Sequence, residues 1–180
     1  AGATRDAAID LGLSAHRFRD AHISRYVIAH QGAFLGGNSS SNYLNSYEIG
    51  NWTPTFHAYT GSLPSTFTAT NAGTYTKVGR MVSVIGYLDI GSLSGASSNI
   101  INIRGLPFTA YTGNGYHSVG ALTANSVNFA RTTNLAITVF GTTELGFLTS
   151  DNNGGWGWEY FNTLNSSSAM RFEITYYTSE

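Results

Sequence analysis

From Met81 onward the chain alternates with a period of two. Met81, Ser83, Ile85, Tyr87 and Asp89 fall on one side, and Val82, Val84, Gly86, Leu88 and Ile90 on the other. The run is rich in β-branched and aromatic residues and lacks proline, so it suits the inside of a sheet. Tyr75 and Lys77 lead into it through the Gly79-Arg80 pair, which predicts a tight turn and a hairpin over Gly73 to Ile90. Met170 to Tyr177 repeats the pattern, with Met170, Phe172, Ile174 and Tyr176 against Arg171, Glu173, Thr175 and Tyr177.

Shorter strands are expected over Asn51 to Phe56, Thr66 to Thr70, Asn99 to Arg104, Tyr116 to Leu122, Val127 to Arg131, Leu135 to Phe140 and Glu144 to Leu148. In Asn51 to Phe56, Pro54 removes a backbone donor and assigns that strand to an edge or a start. In Asn99 to Arg104, Ile101 and Ile103 share a face, and Leu106-Pro107 ends the run in a turn. No helix-period segment of useful length appears here. Short strands separated by Gly, Asn and Ser clusters predict an all-β domain, a two-sheet β-sandwich of jelly-roll type, over residues 51–180.

The first 35 residues differ. Their apolar groups come in short broken runs (Ile9, Leu11, Leu13; Phe18, Ala21, Ile23; Tyr26, Val27, Ile28), and a helix over Ser14 to Ile23, capped by Ser14, is one reading. So few apolar groups close no core alone, so the segment needs the main domain or copies of itself. Residues 36–50, with GGNSSSN at Gly36 to Asn42, read as a polar linker.

Composition changes this picture in one respect. The chain is 42% hydrophobic and 13% aromatic but only 11% charged, against about 25% in an ordinary soluble domain. Its polar surface therefore comes from Ser, Thr, Asn and Gly, which suits an oligomer or a component of an extracellular particle. The net charge of −1 gives no field to recruit nucleic acid or an acidic membrane. Without cysteine there is no disulfide framework or thiolate metal site, and assembly in a reducing cytoplasm is expected. No apolar run approaches the roughly 20 residues of a spanning helix, and no membrane insertion is expected.

Two groups of motifs carry a resemblance. Ile9-Asp10-Leu11-Gly12, Ser14, Phe18, Arg19 and Asp20 resemble the short repeat of phage tail fibres and related virion proteins. The ordered set LNSYEIGNWTPT (Leu44 to Thr55), GTYTKVGRMVSV (Gly73 to Val84) and IRGLPFT (Ile103 to Thr109) is similar to C-terminal domains of tail fibre proteins from marine phages and cyanophages. The family usually has Glu-Glu-Gly-Thr before the tryptophan, where this chain has Glu48-Ile49-Gly50-Asn51. The resemblance implies a homotrimer with a shaft-like N-terminal segment, in which Ile9, Leu11, Leu13 and Phe18 are the oligomerising residues. It also implies a virion location, other virion proteins as neighbours, and a jelly roll that faces the host surface or the capsid.

For catalysis the sequence offers little. Asp151 and Glu159 could flank a glycan in a depolymerase, but the blander reading has Asp151 in a turn and Glu159 solvated on a strand, and no enzyme is expected. The five histidines form no H-x-H pair and no HExxH, so neither a metal nor another cofactor is expected. GGWGW at Gly154 to Trp158 lacks the strand-to-helix context and the third glycine of a nucleotide loop.

The best binding candidate is SDNNGGWGWEYF, Ser150 to Phe161, as a loop for a host-surface glycan or receptor. Trp156, Trp158 and Tyr160 would share a face that stacks on sugar rings, with Asn152 and Asn153 supplying hydrogen bonds. The reading placed ahead of it is structural: the tryptophans plug the sandwich or the trimer interface, where large aromatics also concentrate. Tyr111 and Tyr116, flanking a Gly-Asn turn, form a second candidate.

Overall fold

The computed structural model describes residues 15, 19–95, 97–111, 113, 118–129, 134–139 (as backbone), 143–151 and 153–179. Ile9, Leu11, Leu13, Phe18, Tyr116 and Asn152 lie outside them. The chain divides into two units, Ala1–Gly32 and Ala33–Glu180. In the first, the described residues 19–32 contain neither helix nor strand, and Ile23, Tyr26, Val27 and Ile28 are all exposed.

The second unit is built of strands. A two-stranded pair, β1 (Ala33–Phe34) and β2 (Tyr43–Leu44), opens it. The main sheet takes up β3 (Tyr47–Trp52), β4 (Thr55–Ala58), β5 (Thr66–Val78), β6 (Met81–Ser94), β7 (Ile101–Arg104), β8 (Val119–Asn125), β9 (Asn134–Val139), β10 (Glu144–Ser150), β11 (Trp156–Trp158) and β12 (Ala169–Tyr177). Its order is β3-β5-β6-β12-β8-β9-β10-β7-β4, with β11 on β10, and the pairing is antiparallel throughout.

The path curls into a sandwich-like shape: Phe56 of β4, at one end, packs edge-on against Phe67 of β5, near the other, at 5.0 Å. Phe161 lies against both rings. The expected alternation is what buries the core. Val82, Val84, Leu88 and Ile90 of β6 and Met170, Phe172, Ile174 and Tyr176 of β12 meet Ile101, Ile103, Leu145 and Phe147 of the facing strands. Each such side chain contributes roughly 1.5–3 kcal/mol. A buried Lys77 joins this face, its ammonium donating to Ser46 Oγ at 3.0 Å and lying 4.8 Å from the centroid of the Phe108 ring.

Three particulars depart from the sequence reading. Residues 36–50 are not a plain linker: Asn42 Nδ2 donates to Leu35 O in a closed turn, and β3 begins at Tyr47. The strand escaped notice because its inward positions are Glu48 and Gly50, and only Trp52 is large and apolar. NWTPTF is two edge strands, β3 and β4, separated at Thr53-Pro54, where proline offers no ladder donor. Finally, Val127, Asn128 and Phe129 form no strand; Val127 packs on the core from a loop.

The outer face of β3, β5, β6 and β12 carries an uncharged row. Tyr47, Val78, Met81 and Tyr177 are successive cross-strand partners, and all four are exposed.

Candidate functional site

Strand register assigns one set of side chains to the outer face of β4, β7, β10 and β11. Thr55 pairs with Arg104 and Arg104 with Glu144; His57 pairs with Asn102 and Asn102 with Gly146; Leu148 pairs with Trp158 and Ser150 with Trp156. Partners in a ladder point to the same side. Leu145 and Phe147, one residue out of phase, point into the core.

β11 owes its position to the loop before it. Gly154 N–H donates to Asp151 O at 3.1 Å, and Asn153 adopts φ 61°, a left-handed conformation that asparagine tolerates well. Two bonds then wedge the chain between β10 and the start of β7: Glu159 N–H donates to Phe147 O at 3.1 Å, and Ile101 N–H donates to Glu159 O at 2.9 Å. Trp158 is thereby brought beside Asn102.

The Trp158 ring lies over Gly146. A Cβ built at Gly146 would come within 2.5 Å of Trp158 Cζ3, so only glycine leaves room for the indole. Trp156 meets Trp158 at 5.8 Å between centroids with planes 85° apart, an aromatic corner. Trp156 is 66% exposed. The pair therefore sits on the outside of the domain and does not plug the sandwich.

A polar strip borders the tryptophans. Arg104 Nε donates to Glu144 Oε1 at 2.6 Å, and Asn102 Nδ2 donates to Glu144 Oε2 at 2.7 Å. Asn102 is fully buried, and neither its Oδ1 nor His57 Nδ1 has a hydrogen-bond partner among the described residues. Sequence reasoning missed this strip. The alternation of Asn102 and Arg104 with Ile101 and Ile103 was visible, but nothing in the chain says that Glu144 and His57 lie alongside.

The remaining candidates disperse. Asn153 stays in the loop, while Tyr160 leaves β11 for an isolated bridge to Ile100 and leads into a 3-10 turn. Tyr111 lies elsewhere, its N–H bonded to Tyr177 O at 2.7 Å and its ring under the Arg80 guanidinium at 5.4 Å. Glu159 corrects an expectation: it is not solvated but 1% exposed, on the core side, where its carboxylate accepts from Thr149 Oγ1 at 2.5 Å. Asp151 is exposed, so the two acids do not share one surface. No group of three metal-binding side chains occurs among the described residues.

An exposed indole corner on a strand pair, with amide, imidazole, carboxylate and guanidinium groups beside it, can hold a flat, hydroxylated ligand by stacking and hydrogen bonds. Comparison with protein families, with curated proteins and with solved structures finds no match for this chain.

Proposed function

We propose that this chain is a phage virion protein of the tail fibre type, a homotrimer whose jelly-roll domain binds a glycan on the host surface without catalysis. The observation that carries the reading is the Trp156–Trp158 corner, solvent-facing and seated on Gly146. The trimer is supported by apolar surface that one chain leaves uncovered: Ile23, Tyr26, Val27 and Ile28 of the N-terminal segment, and the row Tyr47, Val78, Met81 and Tyr177. Three sites per trimer and several fibres per particle give avidity that no single weak site needs.

A second reading, a trimeric decoration protein of the phage head, draws on the same exposed N-terminal segment, which would anchor to the shell. Labelled protein added to candidate host cells tests the first. Cell binding that falls with Trp156→Ala and with periodate oxidation of the cell surface supports it. Immunogold density confined to the capsid lattice of an intact particle would assign the chain to the head instead.

A further inference from the structure

Asn102 and His57 point to the polar half of that site. Glu144 fixes the Asn102 amide, since only Nδ2 can donate to a carboxylate, and Arg104 in turn holds Glu144. The carbonyl oxygen Oδ1 is therefore the atom left over, an acceptor buried without a donor among the described residues. Nδ1 of His57, on the neighbouring strand directly opposite, is in the same condition. Buried polar atoms in native proteins almost always find partners, so two adjacent orphans mark a place where something else supplies them. Beside them stands Trp158, whose indole covers Gly146, the ladder partner of Asn102. β11, which carries that cover, is three residues long, and Gly154, Gly155 and Gly157 surround Trp156.

We propose that His57 and Asn102 bind one hydroxyl of a neutral hexose. The sugar ring stacks on the indole of Trp158, which shifts off Gly146. The hydroxyl enters between the two side chains, donating to Asn102 Oδ1 while accepting from, or sharing a hydrogen with, His57 Nδ1. A hydroxyl is the group that meets both demands, because it donates once and accepts as well. The Glu144 carboxylate alongside disfavours carboxylated or sulfated sugars, and the Arg104 guanidinium of this face is already engaged with it. This inference rests on the reading of the tryptophan pair as a glycan platform.

The test titrates the full chain with methyl α-glucopyranoside, α-galactopyranoside and α-mannopyranoside, observed by saturation-transfer NMR and tryptophan emission. At least one glycoside should bind and shift the emission, and His57→Phe and Asn102→Leu should each weaken it about tenfold or more, as expected when a hydroxyl loses its buried partner. His57→Phe should also leave the thermal midpoint unchanged or raised, because it deletes an unpaired polar atom. A merely structural histidine would move stability and affinity in the same direction.

If Trp156→Ala abolishes binding while both variants bind like the parent, this proposal is overturned and the platform reading stands. A fall in stability with unchanged affinity in His57→Phe would assign the pair to an internal water and likewise overturn it. Binding of none of the three glycosides by the parent chain overturns it too, and the glycan reading is then decided separately by the cell-binding assay.

Discussion

Gly86→Ala examines the packing on which the core depends. Gly86 of β6 pairs with Gly73 of β5 on one side and with Phe172 of β12 on the other, and the bare backbone gives the aromatic rings a flat floor. A Cβ at Gly86 would lie 2.1 Å from Phe172 Cζ, 2.5 Å from Cε1 and 2.7 Å from Cε2. To restore ordinary contact the ring must retreat by more than about 1 Å. Trp52 stands in the way, edge-on at 6.3 Å between centroids and pinned by the bond from its Nε1 to Ile85 O at 3.1 Å. Overpacking of this kind costs about 1–3 kcal/mol, and replacing glycine within a strand returns about 0.5–1 kcal/mol. The net expectation is a loss of about 1 kcal/mol and at most about 2.5 kcal/mol.

Urea unfolding at one fixed protein concentration measures it, so that any self-association enters parent and variant alike. Phe172→Leu, combined with Gly86→Ala, relieves the collision, so the double variant should lose about 1 kcal/mol less than the sum of the two. Gly155→Ala, where a Cβ meets open space, should stay within about 0.5 kcal/mol of the parent. Simple additivity of Gly86→Ala and Phe172→Leu would refute the claim that this ring rests on that glycine.

Other expectations follow from single contacts. Thr149→Val removes the hydroxyl that the buried Glu159 carboxylate accepts from and should cost about 1–3 kcal/mol in chemical denaturation, with Thr149→Ser largely restoring it. Burial pushes the Tyr176 hydroxyl from its usual 10.0 up to about 12, partly offset by the hydrogen bond that the Phe108 N–H donates to its oxygen. The unfolded chain therefore releases that proton first. The stability this tyrosine contributes is complete below about pH 10 and is lost as pH rises toward about 12. A thermal-midpoint series across that range should slope downward less steeply in Tyr176→Phe. Met81→Glu adds a charge to the exposed apolar row and should shift the mass measured by light scattering toward the monomer; an unchanged mass would show that the row is not an interface. Trp156→Ala should leave unfolding within about 0.5 kcal/mol of the parent, because the ring is largely exposed, while host-cell binding falls.

The sequence alone determined the faces of the long strands. Period-two alternation in β6 and β12 sorted the residues into the two sets that the structure buries and exposes, because one sheet face excludes water and the other does not. It also disclosed the Gly79-Arg80 turn, where Gly79 takes φ 57°, and the edge character imposed by Pro54. Trp156 and Trp158 were legible as a binding candidate from their spacing in the glycine-rich loop, but the exposure of Trp156 was not, since the sequence reading placed both indoles in packing first.

Tertiary structure decided the rest, for one physical reason: ladder partners far apart in sequence are chosen by register, which no local pattern carries. Asn102 and Glu144 meet across β7 and β10, and His57 joins them from β4, so the polar strip exists only once the sheet is assembled. Glu159, one residue from a surface tryptophan, turns inward because a strand sends neighbours to opposite faces, and the wedge between β10 and β7 fixed which face was the core.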